Sequence, residues 1–337
     1  MNRVAIVILN WNGENLLREY LPSVVAYSKD ATIVIADNGS SDSSLNYIKT
    51  NFPQIKTIDL KTNYGFAKGY NKALEILREE KDFSENIEYY ILLNSDVKVT
   101  ENWIQPIITL MDSDEKIAAV QPKILSISNP TMFEYAGAAG GFIDYLGYPF
   151  CRGRIFDIVE KDNGQYDDEK QIFWASGAAF FVRKKVFEEL NGFDEMFFAH
   201  QEEIDLCWRM QNKGYKIFYS FHSVCYHLGG GTLNKTSPKK TYLNFRNNLF
   251  MLYKNLPKKK QYIIPIRIIL NILSSFLFLF KGKKGEFLAV NRANYHFLKN
   301  KKYLKINKNQ KINSLPKTIY PKSIVGNRLL IFLRNLG

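Results

Sequence analysis

An unbroken apolar run at residues 4–9 is followed by similar runs at 32–36 and 89–93, each ending in a polar break, with a short strand pattern at 55–59 between them. Short runs that do not alternate predict strands buried on both faces of a parallel sheet. Between them, residues 14–28, 43–51 and 66–80 carry apolar positions at helical spacing. Strand and helix alternate, which predicts right-handed βαβ units and an α/β fold with a doubly wound, mostly parallel sheet flanked by helices. Further along, the pattern predicts strands at 97–99, 118–123, 173–182 and 216–219, and helices at 103–112, 184–190 and 203–212. Residues 126–170 are rich in glycine, aspartate and aromatics and predict loops over the sheet edge. Past Gly229-Gly230-Gly231, a helical stretch at 242–255 precedes an apolar stretch at 262–280.

Charge divides the chain. The 337 residues carry a net charge of +13, but residues 230–337 hold 23 Lys or Arg against one acidic residue, Glu286, while residues 1–229 hold 23 basic and 32 acidic ones. Such asymmetry predicts two parts with different partners: residues 1–229 as an enzyme domain, and residues 230–337 as a basic, partly apolar helical membrane-associating region. Pro265, Arg267 and Asn271 interrupt the apolar stretch, and lysines flank both of its ends. A span needs about 20 mostly apolar residues, so an interfacial or re-entrant helix is the expectation, with a span or a soluble core helix as alternatives. Cys151, Cys207 and Cys225 lack metal-site or redox spacing and read as reduced, buried thiols of a cytosolic protein. No signal peptide is expected, because Met-Asn-Arg leads directly into a strand.

Polar residues then collect where the strands end. In open α/β sheets ligands gather at the carboxyl ends of strands, so Asn94-Ser95-Asp96 stands where chemistry is expected. A carboxylate there can hold a divalent cation against a diphosphate, although a helix cap or turn aspartate has the same local signature. Asn10 and Asn12 follow the first strand and Asp37 the second. A fourth block runs from Trp174-Ala175-Ser176-Gly177 to Glu202-Glu203-Ile204-Asp205, with His227 downstream.

Together these segments resemble the inverting family 2 glycosyltransferases of the GT-A fold, in the branch that includes rhamnosyl-transferring enzymes. The resemblance covers roughly residues 2–230. It rests on Val-Ile-Leu-Asn-Trp-Asn (7–12), Ile-Ala-Asp-Asn-Gly-Ser-Ser-Asp (35–42), Asn-Tyr-Gly-Phe-Ala-Lys-Gly-Tyr-Asn (63–71), Leu-Leu-Asn-Ser-Asp (92–96), Ser-Gly-Ala (176–178), Gly-Phe-Asp-Glu (192–195) and Glu-Glu-Ile-Asp-Leu-Cys-Trp-Arg (202–209). It implies that Asp37 accepts a hydrogen bond from the nucleobase or ribose, with a cap of the next helix as the alternative. Asn10, Asn12, Asn63 and Asn71 would flank the nucleotide. Asp96 matches the last residue of the family's metal-binding acidic motif, whose first acidic position is Asn94 here. Asn94, with Ser95, is then better suited to ribose or diphosphate than to metal. His227 falls where some members place a second metal ligand. Mg²⁺ or Mn²⁺ is the implied cofactor.

Glu203 occupies the family's catalytic-base position, with Glu202 as the next candidate; an acidic helix N-terminus has the same pattern. Trp174 and Gly177 would line the sugar, Trp174 being equally readable as core. Arg209 could reach a phosphate or form an internal ion pair. The expected function is inverting transfer of a sugar, with dTDP-rhamnose or a UDP-hexose as donor, to a hydroxyl of a lipid-linked or cell-surface glycan. The expected location is the cytoplasm, peripheral on the inner face of the membrane against anionic lipid. Two other classes fit the chain less well. A basic nucleic-acid-binding or non-catalytic membrane protein leaves the acidic first part unexplained, so no nucleic-acid partner is expected. A nicotinamide oxidoreductase would need a G-x-G-x-x-G turn, which Asn10-Trp11-Asn12-Gly13 does not supply.

Overall fold

The structure is a computed structural model that describes residues 2–229, 237–304 and 314–326. The expected boundary at Gly230 and Gly231 lies outside the described residues. In chain order the first elements are β1 (Val4–Asn10), α1 (Glu14–Tyr27), β2 (Ala31–Asp37), α2 (Ser44–Asn51), β3 (Lys56–Asp59), α3 (Gly65–Arg78), α4 (Lys81–Asn86), β4 (Tyr89–Asn94), β5 (Val97–Val99), α5 (Gln105–Ser113) and β6 (Ile117–Ser126). Strands β1 to β4 pair in parallel. Successive side chains of a strand point to opposite faces, and the core divides accordingly. Ala5, Val7, Tyr90 and Leu92 pack on one face with Ala67, Tyr70, Ala73 and Leu77 of α3. Ile6, Ile8, Ile91 and Leu93 pack on the other with Leu17 and Leu21 of α1, Tyr47 and Ile48 of α2, and Ile107 and Met111 of α5. Two apolar faces require two helical layers, which is why these strands read as continuous apolar runs.

The chain continues through β7 (Gly141–Ile143), β8 (Pro149–Cys151), β9 (Arg154–Ile155), β10 (Ile158–Val159), β11 (Glu169–Ile172), β12 (Ala179–Arg183), α6 (Lys184–Glu189), α7 (Glu202–Asn212) and β13 (Lys216–His227). The nine-stranded sheet has the order β11-β13-β6-β12-β4-β1-β2-β3, with β5 on β13. Strand β12 runs antiparallel to β4 and β6, and β11 and β5 antiparallel to β13; the others share one direction, so the sheet is mostly parallel.

Three local expectations change. The run 173–182 is not one strand: β11 ends at Ile172 and β12 starts at Ala179, with the Trp174–Gly177 segment as a crossing between them. Residues 126–170 include a four-stranded antiparallel sheet, β10-β9-β8-β7, rather than loops alone. Strand β13 extends to His227 because a register shift between Ser220 and Val224 lets it resume pairing with β6.

After Ser237, whose hydroxyl caps the backbone N–H of Lys240, come α8 (Pro238–Asn255), α9 (Ile263–Phe280) and α10 (Lys284–Asn300). Helix α8 is not detached from the sheet domain. Leu249, Phe250, Met251, Leu252 and Leu256 belong to the same core as Phe197 and Trp208. Among the described residues, one helical stretch, Lys258–Phe280, is long and apolar enough to cross a membrane.

Candidate active site

The parallel strands end in register, with Asn10 opposite Asp37 and Leu9 opposite Asn94. Asp37 is buried; its Oδ1 accepts from Asn10 Nδ2 at 3.0 Å and from the Ser40 hydroxyl at 2.6 Å, and its Oδ2 from the Ser40 backbone N–H at 2.9 Å. Asn12, at φ 49°, accepts from the Ser41 backbone N–H at 2.7 Å. The cap of α2 falls to Asp42 and not to Asp37: Asp42 accepts from the N–H groups of Ser44 at 3.1 Å and Glu14 at 3.0 Å.

Asn38 is the joint of this rim. It accepts from the Tyr64 N–H at 3.0 Å and donates to Asn63 Oδ1 at 3.2 Å and the Gly65 carbonyl at 3.1 Å. Its only sequence signal is a place beside Asp37. Asn94 and Ser95 are half-buried on the same rim.

Asp96 lies in the turn joining β4 to β5. Strand β5 pairs with the end of β13, so that His227 sits opposite Val97 and beside Asp96. His227 Nε2 is 3.1 Å from Asp96 Oδ1, and its Nδ1 is 3.2 Å from Glu134 Oε2, with all three side chains buried. Burial alone would lower the imidazole pKa, but hydrogen bonds and charge from Asp96 and Glu134 outweigh it and raise the pKa to about 10. Gly229, at φ 68°, allows the approach of Glu134: a Cβ there would lie 2.5 Å from Glu134 Oε1.

A carboxylate oxygen facing an imidazole nitrogen, with a second carboxylate within ion-pair distance of the far ring nitrogen, is a donor set that could hold a cation. Among the described residues no three His, Cys, Asp or Glu side chains form a full metal cage. The set therefore fits a hard divalent cation that completes its shell with water and phosphate oxygens. Glu134 carries no recognisable motif, and only the tertiary structure brings it here.

Glu202 and Glu203 open α7, each with a buried Oε2 that has no hydrogen-bond partner. Glu202 is buried, whereas Glu203 is partly exposed. Burial, and then the charge of Glu203, raises the Glu202 pKa well above the usual range; burial raises that of Glu203 to about 7. Helix-turn amides pull Glu203 partly back down.

The turn before α7 is strained. Phe198, His200 and Gln201 have φ of 64°, 72° and 69°, a region that costs a non-glycine residue roughly 1–2 kcal/mol. The Phe198 carbonyl accepts from the N–H groups of Phe66 at 2.8 Å and Ala67 at 3.3 Å, which joins this turn to the start of α3. Gly65, at φ 77°, makes room, since a Cβ would meet the Phe198 ring at 2.7 Å. His200 is held neutral by burial and then by Lys240, with its pKa lowered to about 4.

Several expected contacts are engaged elsewhere. Asn71 donates to the Phe193 carbonyl at 2.8 Å and accepts from the Phe193 N–H at 3.0 Å, so it pins α3 to residues 192–195 rather than facing a nucleotide. Trp174 is 5% exposed, its indole N–H donates to the Phe142 carbonyl at 2.9 Å, and its ring lies against Gly141. Trp174 is therefore core, because no open ring face remains for a sugar. Gly177 is half-buried beside Phe66. Arg209 pairs with Asp205 at 2.8 Å and donates to the carbonyls of Leu190 and Gly192. Asp205, fully buried, also meets Lys254 at 2.9 Å and Asn255 at 2.8 Å; these partners keep its pKa low against the burial that would raise it.

Known proteins share this fold. The chain is 24% identical over 239 residues to the N-acetylglucosaminyl-diphospho-decaprenol L-rhamnosyltransferase of Mycobacterium tuberculosis, covering 67% of this chain and 76% of that protein. The structure of GalNAc-T7 with UDP, GalNAc and Mn²⁺ superposes with a TM-score of 0.60 at 18% identity; the match covers 78% of this chain but spans only half, 50%, of that one. Residues 1–349 of TarS from S. aureus, in complex with UDP-GlcNAc, give a TM-score of 0.57 at 16% identity, covering 89% of this chain and 81% of that one. The family model of glycosyl transferase family 2 matches residues 5–190, more than half of the chain. The chain thus belongs to glycosyl transferase family 2 and is a glycosyltransferase of the GT-A fold.

Proposed function

We propose that this glycosyltransferase inverts the anomeric centre of a nucleotide-diphosphate sugar, with dTDP-rhamnose or a UDP-hexose as donor and a hydroxyl of a lipid-linked glycan as acceptor. The observation that carries the reading is the half-buried Glu203 beside the buried Glu202, with a buried carboxylate oxygen that has no partner and a pKa near 7. A base works best when its pKa lies near the operating pH. Burial and the neighbouring charge disfavour ionisation of Glu202, which leaves Glu203 as the group that takes the acceptor proton. Attack from that side, opposite the leaving diphosphate, inverts the centre. Asp37 and Asn10, together with Asn12, Asn38 and Asn63 of the same rim, receive the nucleoside. Asn94 and Ser95 face the ribose or diphosphate.

Asp96 and His227 would hold Mg²⁺ or Mn²⁺, and Glu134 would keep the His227 ring turned toward it. The cation, when bound, supplies positive charge to the leaving diphosphate. The donor class draws on the rhamnosyltransferase relative, on the UDP-GlcNAc held by TarS and on the UDP and GalNAc held by GalNAc-T7. A nucleotide-sugar panel tests the reading: metal-dependent hydrolysis of one donor, lost in Glu203→Gln with donor binding kept, is expected. Full activity of Glu203→Gln overturns the base assignment.

The acceptor reading is supported by helices α9 and α10. On α9, Arg267, Asn271 and Ser275 recur every four residues and are buried. Arg267 donates to Asn248 at 2.7 Å, Asn271 to Asn294 at 3.0 Å, and Asn291 to Ser275 at 3.1 Å. A spanning α9 would carry these groups away from their partners into hydrocarbon. Ile269, Leu273, Leu277 and Phe280 face outward, at 58–83% exposure, between clusters of lysine. This geometry favours a helix lying in the interface of an anionic membrane, on its cytoplasmic side. Leu273→Glu with Leu277→Glu should release the protein from vesicles containing phosphatidylglycerol; unchanged binding refutes the surface.

A further inference from the structure

We infer that Asn247 of α8, with Arg246 beside it, positions the turn that presents Glu203. The inference rests on Glu203 being the base, and it concerns a residue beyond the matched family region, in the part of the chain whose charge alone suggests a membrane anchor.

The turn at residues 198–201 belongs to no regular ladder, so its carbonyl groups need partners from elsewhere. The Phe198 carbonyl is taken by the N–H groups that open α3 and that of Gln201 by the Asp205 N–H, while those of Ala199 and His200 find theirs on one side chain. Asn247 Nδ2 lies 2.9 Å from the Phe197 carbonyl, 2.9 Å from that of Ala199 and 2.7 Å from that of His200. Arg246 Nη2 adds bonds to the carbonyls of Met196 at 3.1 Å and Phe197 at 3.0 Å, and to the Asn247 Oδ1 at 2.8 Å. From the turn side, Gln201 donates to the Asn244 carbonyl at 3.0 Å. Asn247 is fully buried, so no water can replace its amide without opening the packing.

Joining α7 to α8 would not by itself need this amide. Lys254 and Asn255 already tie α8 to Asp205, and Lys254 also reaches Asp194 at 2.6 Å. What Asn247 adds is specific to the carbonyls of Phe197, Ala199 and His200, in and just before a turn in which Phe198, His200 and Gln201 all hold positive φ. Strained backbone persists only where its surroundings over-determine it, and such sites cluster where geometry serves chemistry. Glu203 is two residues beyond Gln201. A turn that relaxes moves its carboxylate relative to a donor held on the opposite rim, and a displacement of about 1 Å at a reacting group can cost about a hundredfold in rate.

The test compares Asn247→Ala, Asn247→Ser and Asn271→Ala in the full chain with Mn²⁺. The donor is whichever of UDP-glucose, UDP-galactose, dTDP-rhamnose and GDP-mannose the unaltered protein hydrolyses. Asn271 is an equally buried amide, on α9, that touches Asn294 and not the turn. Asn247→Ala should lower kcat by about a hundredfold, leave the donor KM nearly unchanged and speed amide exchange at residues 199–203. Asn247→Ser, which restores one donor, should recover part of the rate, and Asn271→Ala should lose Tm without losing kcat. Near-normal kcat in Asn247→Ala, or an equal kcat loss in Asn271→Ala at matched Tm, overturns the inference. Should Asn247→Ala fail to fold, Asn247→Ser against Asn271→Ala decides by the same criterion. Full activity of Glu203→Gln would sink the base reading instead, and exchange at 199–203 would still report whether the amide holds the turn.

Discussion

Asp37 accepts three hydrogen bonds from Asn10 and Ser40, whereas Glu202 and Glu203 each keep a buried oxygen without a partner. The two regions lie on one sheet but distribute their polar groups in opposite ways. At the strand-end rim, asparagine and serine side chains a few loops apart satisfy the Asp37 carboxylate, although the Asn10 Oδ1 stays buried without a partner. At the start of α7, unpaired carboxylates and a turn with positive φ are held in place by a helix some 45 residues further along. A group satisfied at home is stable and passive. A buried carboxylate left unpaired carries a raised pKa, and that is the property a base needs.

The largest expected effect comes from breaking the metal side. Asp96→Ala should abolish transfer and remove Mn²⁺ binding by paramagnetic resonance; retained Mn²⁺ affinity would move the cation site elsewhere. In the unaltered protein, Mn²⁺ binding should release a proton near pH 7, because the ion replaces the imidazolium of His227. Next, Glu203→Gln should cost about 10²–10⁴-fold in kcat with donor and metal binding intact. The unaltered enzyme should gain rate as pH rises through about 7, where Glu203 loses its proton. This limb should vanish in the variant.

Stability moves the other way. The folded pKa of Glu203, about 7, lies above the ordinary 4.5. The native state therefore holds the extra proton between those values, and the stability from this group is lost as pH rises through about 7. Glu203→Gln should raise Tm by about 2–4 °C at pH 8 and leave it unchanged at pH 4. No gain at pH 8 would mean that the carboxylate is better solvated than its burial indicates.

Two smaller effects sharpen the contrast. Glu134→Gln should weaken Mn²⁺ binding by about 10–100-fold while the fold persists; unchanged affinity would make Glu134 a structural partner only. Trp174→Phe should lower stability by about 1 kcal/mol through the lost bond to Phe142 and leave donor KM unaltered. A raised KM would return Trp174 to the sugar site.

The strand-end rim was largely legible in the sequence because its parts are local. An apolar run of five or six residues followed by Asn or Asp places a polar group at a sheet edge, and parallel register then brings Asn10, Asp37 and Asn94 together. Asn71 and Trp174 were misplaced by the same reasoning. A motif gives a residue its neighbourhood, but the direction of an amide or indole depends on packing, here on Phe193 and Gly141. The antiparallel sheet at 141–159 was hidden because strands of two or three residues are too short to show a period.

Hydrophobic pattern and motif order alone determined the α/β sheet and the family, and picked out the acidic residues on which the proposed chemistry turns. These signals repeat within a few residues, and local geometry carries them. Tertiary structure decided that His227 rests between Asp96 and Glu134, that α8 clasps the turn before Glu203, and that α9 keeps Arg267, Asn271 and Ser275 turned inward. Those outcomes join positions tens to more than a hundred residues apart. They arise from burial, which gives a polar side chain no choice but the partner that the fold sets beside it.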